Sequence, residues 1–152
     1  MRTSKPSFHL AGDVALISIH PGHVAKILSG EKNFEFRRAW TRRDVRTLVV
    51  YSTAPEKRLA AVIEVAEAIR GTKTQLWTRT SQSGPGLTRQ ALFDYLRGKA
   101  EGVALSLGRR VSLGEGASPT EVFRSAFHAP QSFRFLTEPE AKLLSQWMER
   151  SA

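Results

Sequence analysis

The clearest alternation of apolar and polar residues lies in the first third of the chain. Phe34 and Phe36 alternate with Asn33, Glu35 and Arg37, and successive side chains on a β-strand point to opposite faces. The pattern therefore predicts a strand with both rings on one face and a carboxylate among polar and cationic groups on the other. Such charges are costly on a half-buried strand unless they contact each other or a ligand. A solvated strand face with a surface ion pair is the alternative.

The remaining pattern predicts a mixture of short strands and short helices. Apolar runs with a period of two predict strands, and stripes at helical spacing between capping residues predict helices. The predicted strands cover residues 14–19, 33–38, 48–52, 59–69, 102–107, 109–113 and 131–136. The predicted helices cover residues 22–29, 73–80, 88–97, a short segment that a capping box at 118–121 starts, and about 138–150. Tyr95 belongs to the apolar stripe of the third of these helices, and residues 137–140 repeat the capping pattern before the last one. This non-repeating order argues against a doubly wound parallel sheet and favours a small, mostly β barrel with flanking helices.

Length and composition restrict the class of protein. The 152 residues suit one domain with a hydrophobic core. We predict a loose, flexible leader over residues 1–13, which lack the apolar core of a secretory signal, and a single domain over residues 14–152. The absence of Cys excludes disulfides and thiolate metal sites and is compatible with the cytoplasmic location that we expect. No apolar run approaches the roughly 20 residues that span a bilayer, so we expect no membrane partner.

The charge balance favours a polyanionic partner. Lys and Arg outnumber Asp and Glu by 23 to 14, which gives a net charge of +9 and a sequence pI near 10.6. Nucleic acid is the commonest partner of so basic a domain. Arg42, Arg43 and Arg46 lie beside Trp40 in a predicted loop, where they could follow a phosphate backbone while the ring stacks on a base. The alternative is a solvated loop whose Trp covers the core.

Most kinds of catalytic and metal site find no support in the sequence. The histidines, at positions 9, 20, 23 and 128, are scattered, and the chain has no Gly-x-Ser-x-Gly motif, no phosphate-binding P-loop and no dinucleotide fingerprint. We therefore expect no metal and no cofactor. What remains is Lys32 with Glu35. A lysine held by a carboxylate acts as a base if burial lowers its pKa, or contacts a phosphate or carbonyl group, and the spacing does not decide between these roles.

Several segments of the chain resemble one known family. They are residues 17–21 (ISIHP), 27–38 (ILSGEKNFEFRR), 49–55 (VVYSTAP), 63–65 (IEV), 93–98 (FDYLRG) and 129–136 (APQSFRFL). The sequence resembles the ASCH (activating-signal-cointegrator homology) domain family of the PUA-like superfamily, from residue 14 to about residue 136. The Gly-Glu-Lys-x-x-Glu-Phe-Arg core is the most specific part of this resemblance.

The resemblance implies an α+β fold, a PUA-like small mixed or antiparallel β-barrel of five to six strands with flanking short helices. It also implies a basic cleft beside the Gly-Glu-Lys strand that takes RNA or another nucleic acid. Lys32, Glu35 and Arg37 would line this cleft. Together with the Arg-rich loop and the neighbours that the resemblance implies, the expected nucleic-acid-binding residues are Lys32, Glu35, Arg37, Arg38, Trp40, Arg42, Arg43, Arg46, Ser52, Thr53, Ser132 and Arg134.

Whether the protein is an enzyme stays open at this point. One branch of the family resembles an amidohydrolase of N4-acylated cytidines that uses a Lys, a Thr three residues later and a Glu. Lys32 falls on that Lys, but Glu35 occupies the position of the Thr. A ribonuclease activity has also been attached to related domains. We therefore keep two hypotheses. The first is a nucleic-acid-binding module, regulatory or not, with RNA the favoured ligand. The second is a small hydrolase of RNA or a modified nucleoside with Lys32 and Glu35 as catalytic residues. The oligomeric state is not predicted.

Overall fold

The structure is a computed structural model that describes residue 10, residues 13–115 and residues 117–151. Within these residues, strands and helices follow one another in a non-repeating order, as predicted. The elements are β1 (Val14–Ile19), α1 (Pro21–Ser29), β2 (Phe34–Arg37), β3 (Thr47–Ser52), β4 (Arg58–Gly71), α2 (Lys73–Thr80), α3 (Arg89–Tyr95), β5 (Gly102–Ser112), α4 (Pro119–Phe123), β6 (Phe133–Phe135) and α5 (Glu138–Arg150).

The strands form one mixed sheet in the order β2-β5-β4-β3-β1-β6. Strands β1 and β3 are parallel, and every other neighbouring pair is antiparallel. The sheet curls into a half-barrel, and this curl brings Arg37 on the edge strand β2 to Ser132, which directly precedes the opposite edge strand β6. This architecture confirms the predicted small mixed β fold with flanking short helices.

The inner face of the half-barrel is mostly apolar and is covered by α1. Val24 and Ile27 of this helix pack against inward residues such as Ile17, Val50 and Leu105. On the outer face, α4 and α5 cover one apolar cluster, and α2 and α3 cover another. The second outer cluster fixes the orientation of β2, since its members include Phe34, Phe36, Leu76, Leu92 and Leu96.

Three local predictions are corrected by the structure. The two strand pieces predicted around Gly108 are one strand, β5, which pairs with β4 through register shifts at residues 63–67. Ser118 makes no side-chain cap bond, since its hydroxyl contacts Thr120 instead. Tyr95, predicted within an apolar stripe of α3, is 40% exposed. By contrast, the capping box that begins α5 at Thr137 is present as predicted.

The predicted leader over residues 1–13 lies mostly outside the described residues. Leu10 packs on the outer cluster beneath α5, and Asp13 pairs with Arg43. The division into a leader and one domain over residues 14–152 stays a prediction. In the part of the chain that the structure describes, no helix is long and apolar enough to cross a membrane.

Candidate functional site

Three charged side chains at β2 contact one another in the interior. Lys32 Nζ lies 3.7 Å from Glu35 Oε1, and Arg37 Nη2 donates to Glu35 Oε2 at 3.0 Å. Glu35 and Arg37 pair in register with Leu105 and Val103, so they share the inner face with these residues. Lys32 is 2% exposed and Glu35 7% exposed. The predicted division of faces is therefore confirmed, and a solvated strand face is excluded for these two residues.

Burial disfavours the charged form of Lys32. Desolvation lowers the pKa of this amine below its ordinary value, and the neighbouring Glu35 carboxylate offsets part of that effect. The ammonium group also lies 5.5 Å from the centre of the Phe36 ring. Because a lowered pKa makes an ammonium group a better acid, Lys32 is suited to contact an anion or to give up a proton.

The loop over residues 81–87 lies directly on this lysine. Asn33 donates from its backbone to Gly84 O at 2.7 Å and from its side chain to Ser83 O at 3.1 Å. A Cβ atom at Gly86 would lie 2.4 Å from both Cβ and Cγ of Lys32. Gly86 has a φ of +76°, in the left-handed region that favours glycine. The Ser-Gly-Pro-Gly sequence thus allows the loop to pack against Lys32 at van der Waals distance.

Arg110 on β5 holds the same segment from the other side. Its Nη2 donates to Lys32 O at 3.2 Å and to Asn33 Oδ1 at 2.8 Å. Arg110 is not among the residues predicted from the sequence, because its partners are far away along the chain. The backbone of Lys32 is therefore fixed by a neighbouring strand and by the loop together.

Arg37 connects the two edges of the sheet. Its Nη2 donates to Ser18 O at 2.9 Å, and its Nη1 donates to Ser132 Oγ at 3.2 Å. The segment before β6 is fixed there by two further bonds, from Ser18 Oγ to Pro130 O at 2.7 Å and from Ser18 N to Ser132 O at 3.0 Å. The structure thus brings Ser132 to the charged row, as the sequence resemblance implied.

Buried polar atoms around this row lack hydrogen-bond partners. Among the described residues they include Ser52 Oγ, His23 Nδ1 and Arg37 Nε. Ser52 ends β3 opposite Ile19, and Ile19 follows the Ser18 carbonyl that Arg37 binds. Because buried polar groups are normally paired, unpaired groups at one place point to a ligand or water that completes them.

His23 and Tyr95 are two further groups near the row that the sequence did not indicate. Burial lowers the pKa of His23, the charge of Lys32 lowers it further, and Glu35 opposes both effects. Burial raises the pKa of Tyr95, Arg37 lowers it and Glu35 raises it. From the sequence, His23 was considered only as a candidate metal ligand. Within the described ranges, no group of three or more His, Asp or Glu side chains could hold a metal ion.

Three other predicted site residues have structural partners. Arg38 donates to the carbonyls of Tyr95 and Arg97, at 2.6 and 3.0 Å, and so fixes the end of α3. Thr53 follows Ser52 and donates from its backbone to a carbonyl of β1. Arg134 forms two bonds with Glu140, at 2.9 and 2.8 Å, and so joins β6 to α5.

The Arg-rich loop is built around a buried ring. Trp40 is 9% exposed and its ring centre lies 4.4 Å from that of Phe133, so it covers the core and is not presented to a base. Arg43 pairs with Asp13, and Arg46 lies 3.0 Å from Asp44. The remaining cation of the loop, Arg42, is exposed. The structure therefore does not bring this loop and the charged row together into one cluster.

Comparison with known proteins agrees with the resemblance seen in the sequence, although no family model matches the chain. An ASCH domain-containing ribonuclease of Zymomonas mobilis is 27% identical over 136 residues, which cover 86% of this chain and 88% of that protein. The crystal structure of ASCH from Z. mobilis superposes with a TM-score of 0.72 at 27% identity, over 88% of this chain and 94% of that one.

Two variants of the Z. mobilis protein have also been solved. In one, serine is replaced by alanine, and this structure superposes with a TM-score of 0.77 at 26% identity, over 88% of this chain and 94% of that one. In the other, tyrosine is replaced by phenylalanine, and its TM-score is 0.72 at 27% identity, over 88% of this chain and 96% of that one. These similarities, together with the curled mixed sheet of the PUA-like fold and the Gly-Glu-Lys-x-x-Glu-Phe-Arg strand, support the assignment of the chain to the ASCH domain family.

Proposed function

We propose that this protein binds RNA and cleaves it at the Lys32 site, defined as Lys32, Glu35 and Arg37 with the adjacent Ser132 and His23. One observation carries the proposal, a buried row of two cations and a carboxylate surrounded by polar atoms that lack partners. The ribonuclease name of the Z. mobilis relative and the net charge of +9 support RNA as the substrate.

The groups at this site suit a ribonucleotide. The Lys32 and Arg37 cations bind phosphate, since most protein–nucleic-acid hydrogen bonds go to phosphate and sugar oxygens. The Ser132 and Ser52 hydroxyls can each donate or accept, which matches the 2′-hydroxyl that distinguishes RNA from DNA. The Glu35 carboxylate accepts from the amino group of a base edge.

Cleavage in this proposal is an attack by the RNA on its own backbone. The 2′-oxygen attacks the adjacent phosphorus, and neutral His23 takes the 2′-hydroxyl proton. The bond between phosphorus and the 5′-oxygen breaks, and that oxygen takes a proton from the Lys32 ammonium group. Arg37 stabilises the charge on the phosphate oxygens in the transition state. The products are a 2′,3′-cyclic phosphate and a free 5′-hydroxyl.

The solved variants of the Z. mobilis relative support a role for Ser132. Its substituted serine and tyrosine lie as far apart along that sequence as Ser132 and Tyr51 do in this chain. Ser132 is the hydroxyl partner of Arg37, and Tyr51 directly precedes Ser52. We therefore include Ser132 among the groups that contact the substrate.

The acylcytidine amidohydrolase alternative receives no supporting observation. The position of its nucleophilic threonine is occupied by Glu35, whose two oxygens are held by Lys32 and Arg37. A carboxylate stabilised by two cations is a weak nucleophile.

The test is to incubate fluorescent single-stranded RNA, duplex RNA and DNA with the protein at several salt concentrations and to identify products by mass spectrometry. Lys32→Met should reduce cleavage by about 100-fold or more, and 2′-O-methyl RNA should stay intact. Lys142→Met, which removes an equal charge from exposed α5, is the matched control. If the RNA binds in a Lys32-dependent way but stays intact, the RNA-binding part of the proposal stands and the catalytic part is wrong. If the RNA is neither bound nor cleaved, the whole proposal is overturned.

A further inference from the structure

A second group of cations lies between residues 68 and 100. This segment contains six cationic side chains and one acidic side chain, and Glu67 and Glu101 directly flank it. The cationic residues are Arg70, Lys73, Arg79, Arg89, Arg97 and Lys99. Arg70 donates to the carbonyls of Trp40 and Thr41. We call the surface formed by α2, the 81–87 loop, α3 and residues 96–99, which carries the other five cations, the basic platform.

Two cationic groups lie over one half-buried aromatic ring on this surface. The guanidinium carbon of Arg89 lies 4.1 Å from the centre of the Phe93 ring, and Lys73 Nζ lies 5.2 Å from the same ring. Tyr95 exposes 40% of its surface on the same helix. Surfaces that bind single-stranded nucleic acid without reading sequence combine cations for phosphates with planar groups on which bases stack. An anionic membrane or an acidic protein would use the cations but would not need the ring beside them.

The acidic partners on the platform do not hold its cations strongly. Arg79 lies 3.4 Å from Glu67, and Arg97 lies 2.7 Å from Asp94, but all four side chains are more than half exposed. Exposed ion pairs contribute little because water screens them. Phosphate groups can therefore replace these carboxylates at low cost.

The platform adjoins the Lys32 site at two places. The 81–87 loop connects α2 to α3 and packs on Lys32 through Gly86. Arg38, the neighbour of Arg37, donates to two carbonyls at the end of α3. A strand that lies across the platform therefore runs beside the loop that covers Lys32 and beside the end of α3 that Arg38 fixes.

We propose that the basic platform holds the single-stranded RNA on one side of the position that is cleaved, with Arg89 and Lys73 on phosphates and Phe93 below a stacked base. This inference rests on the proposed function and extends it, since it specifies a flexible single strand longer than the site itself as the preferred substrate.

The test compares two variants of equal net charge. Lys73→Gln with Arg89→Gln removes two charges from the platform, and Lys142→Gln with Arg150→Gln removes two from α5, which covers the other outer cluster. Binding of a non-cleavable 2′-O-methyl RNA of about 20 nucleotides is measured at several salt concentrations. Each lost phosphate contact lowers the slope of log K against log salt by about 0.7. We expect the platform variant to lose about 1.4 in slope and the control variant to keep the slope of the wild type.

Two further measurements make the result specific. Phe93→Leu should weaken binding while leaving the salt slope unchanged, because it removes the ring and no charge. Cleavage of a dinucleotide, which is too short to reach the platform, should be equal in the wild type and the platform variant.

The outcomes separate this inference from the proposed function. The platform inference would be overturned if the salt slope fell equally in the two double variants, or did not fall in the platform variant. Neither result would contradict RNA cleavage at the Lys32 site. The inference would also be overturned if the platform variant lost binding to phosphatidylserine vesicles but bound RNA like the wild type. A wild type that neither binds nor cleaves any RNA would contradict the proposed function itself.

Discussion

Arg37 and Ser132 lie next to opposite edges of the sheet, yet Arg37 Nη1 donates to Ser132 Oγ at 3.2 Å. Four strands separate β2 from β6 in the order of the sheet. The contact exists only because the sheet curls, so the candidate site spans the opening between the two edges. The same guanidinium group also binds Ser18 O and Glu35, which makes it the link between the edges and the buried charges.

This link predicts that two substitutions lower the free energy of unfolding by different amounts. Ser132→Ala removes one exposed bond and should lower the free energy of unfolding by about 0.5–1 kcal/mol. In Arg37→Lys, the single ammonium group cannot bind all three partners as the forked guanidinium group does, so the free energy of unfolding should fall by about 2 kcal/mol. Urea unfolding followed by tryptophan fluorescence measures both. Equal costs would show that Arg37 does not join the two edges.

The buried charges predict a second inequality. Glu35→Leu leaves the Lys32 and Arg37 cations buried without their carboxylate and should cost about 3–5 kcal/mol. Lys32→Met leaves Glu35 paired with Arg37 and replaces a buried side chain with one of similar length, so it should cost about 1 kcal/mol or less. Urea unfolding measures the loss of unfolding free energy in both variants. A larger loss in Lys32→Met than in Glu35→Leu would contradict the pairing of both cations with Glu35.

Gly86 offers a test of the loop against Lys32. Gly86→Ala introduces a Cβ atom 2.4 Å from Lys32 side-chain atoms in addition to the strain of a positive φ. Gly98→Ala has a similar φ, +81°, and meets no atom within 4 Å, so it reports the strain alone, about 1–2 kcal/mol. We expect Gly86→Ala to have a lower melting temperature than Gly98→Ala and to reduce cleavage. Identical melting temperatures would show that the loop moves freely away from Lys32.

Acid should weaken the attachment of α5. Hydrogen bonds from Arg134 hold the pKa of Glu140 below its ordinary value, and burial opposes this effect. The stabilisation is therefore fully present above the unfolded-state pKa and is lost as the pH falls through the lowered value in the folded protein. Glu140→Gln should lower the free energy of unfolding by about 1 kcal/mol at pH 7 and by progressively less as the pH falls below the unfolded-state pKa, as measured by urea unfolding at several acidic pH values. A cost independent of pH would contradict this role.

The proposed chemistry predicts a bell-shaped dependence of cleavage on pH. The base His23 must be neutral, so the rate should rise with pH through a pKa below the ordinary histidine value. The acid Lys32 must be protonated, so the rate should fall at high pH through a pKa below the ordinary lysine value. His23→Gln should remove the acidic limb and lower the rate. Retention of the acidic limb in His23→Gln would assign the base to another group.

The sequence determined the local features of this protein because their causes lie within a few residues. Alternation placed Phe34 and Phe36 on one face of β2 and Glu35 on the other, as the structure shows. The capping sequence at Thr137 starts α5 for the same local reason. The resemblance in the Gly-Glu-Lys segment then led to the family that the comparisons support.

Tertiary structure alone decided which side chains meet. Trp40 is buried because β6 brings Phe133 to it, and Arg110 reaches Lys32 because β5 pairs with β2. His23 joins the site because α1 fills the curled sheet, which places its imidazole near Lys32 and Glu35. These contacts depend on the curl of the sheet and on pairings between distant segments. Such long-range geometry leaves no periodic pattern in the sequence, so the site as a whole was visible only once the chain was folded.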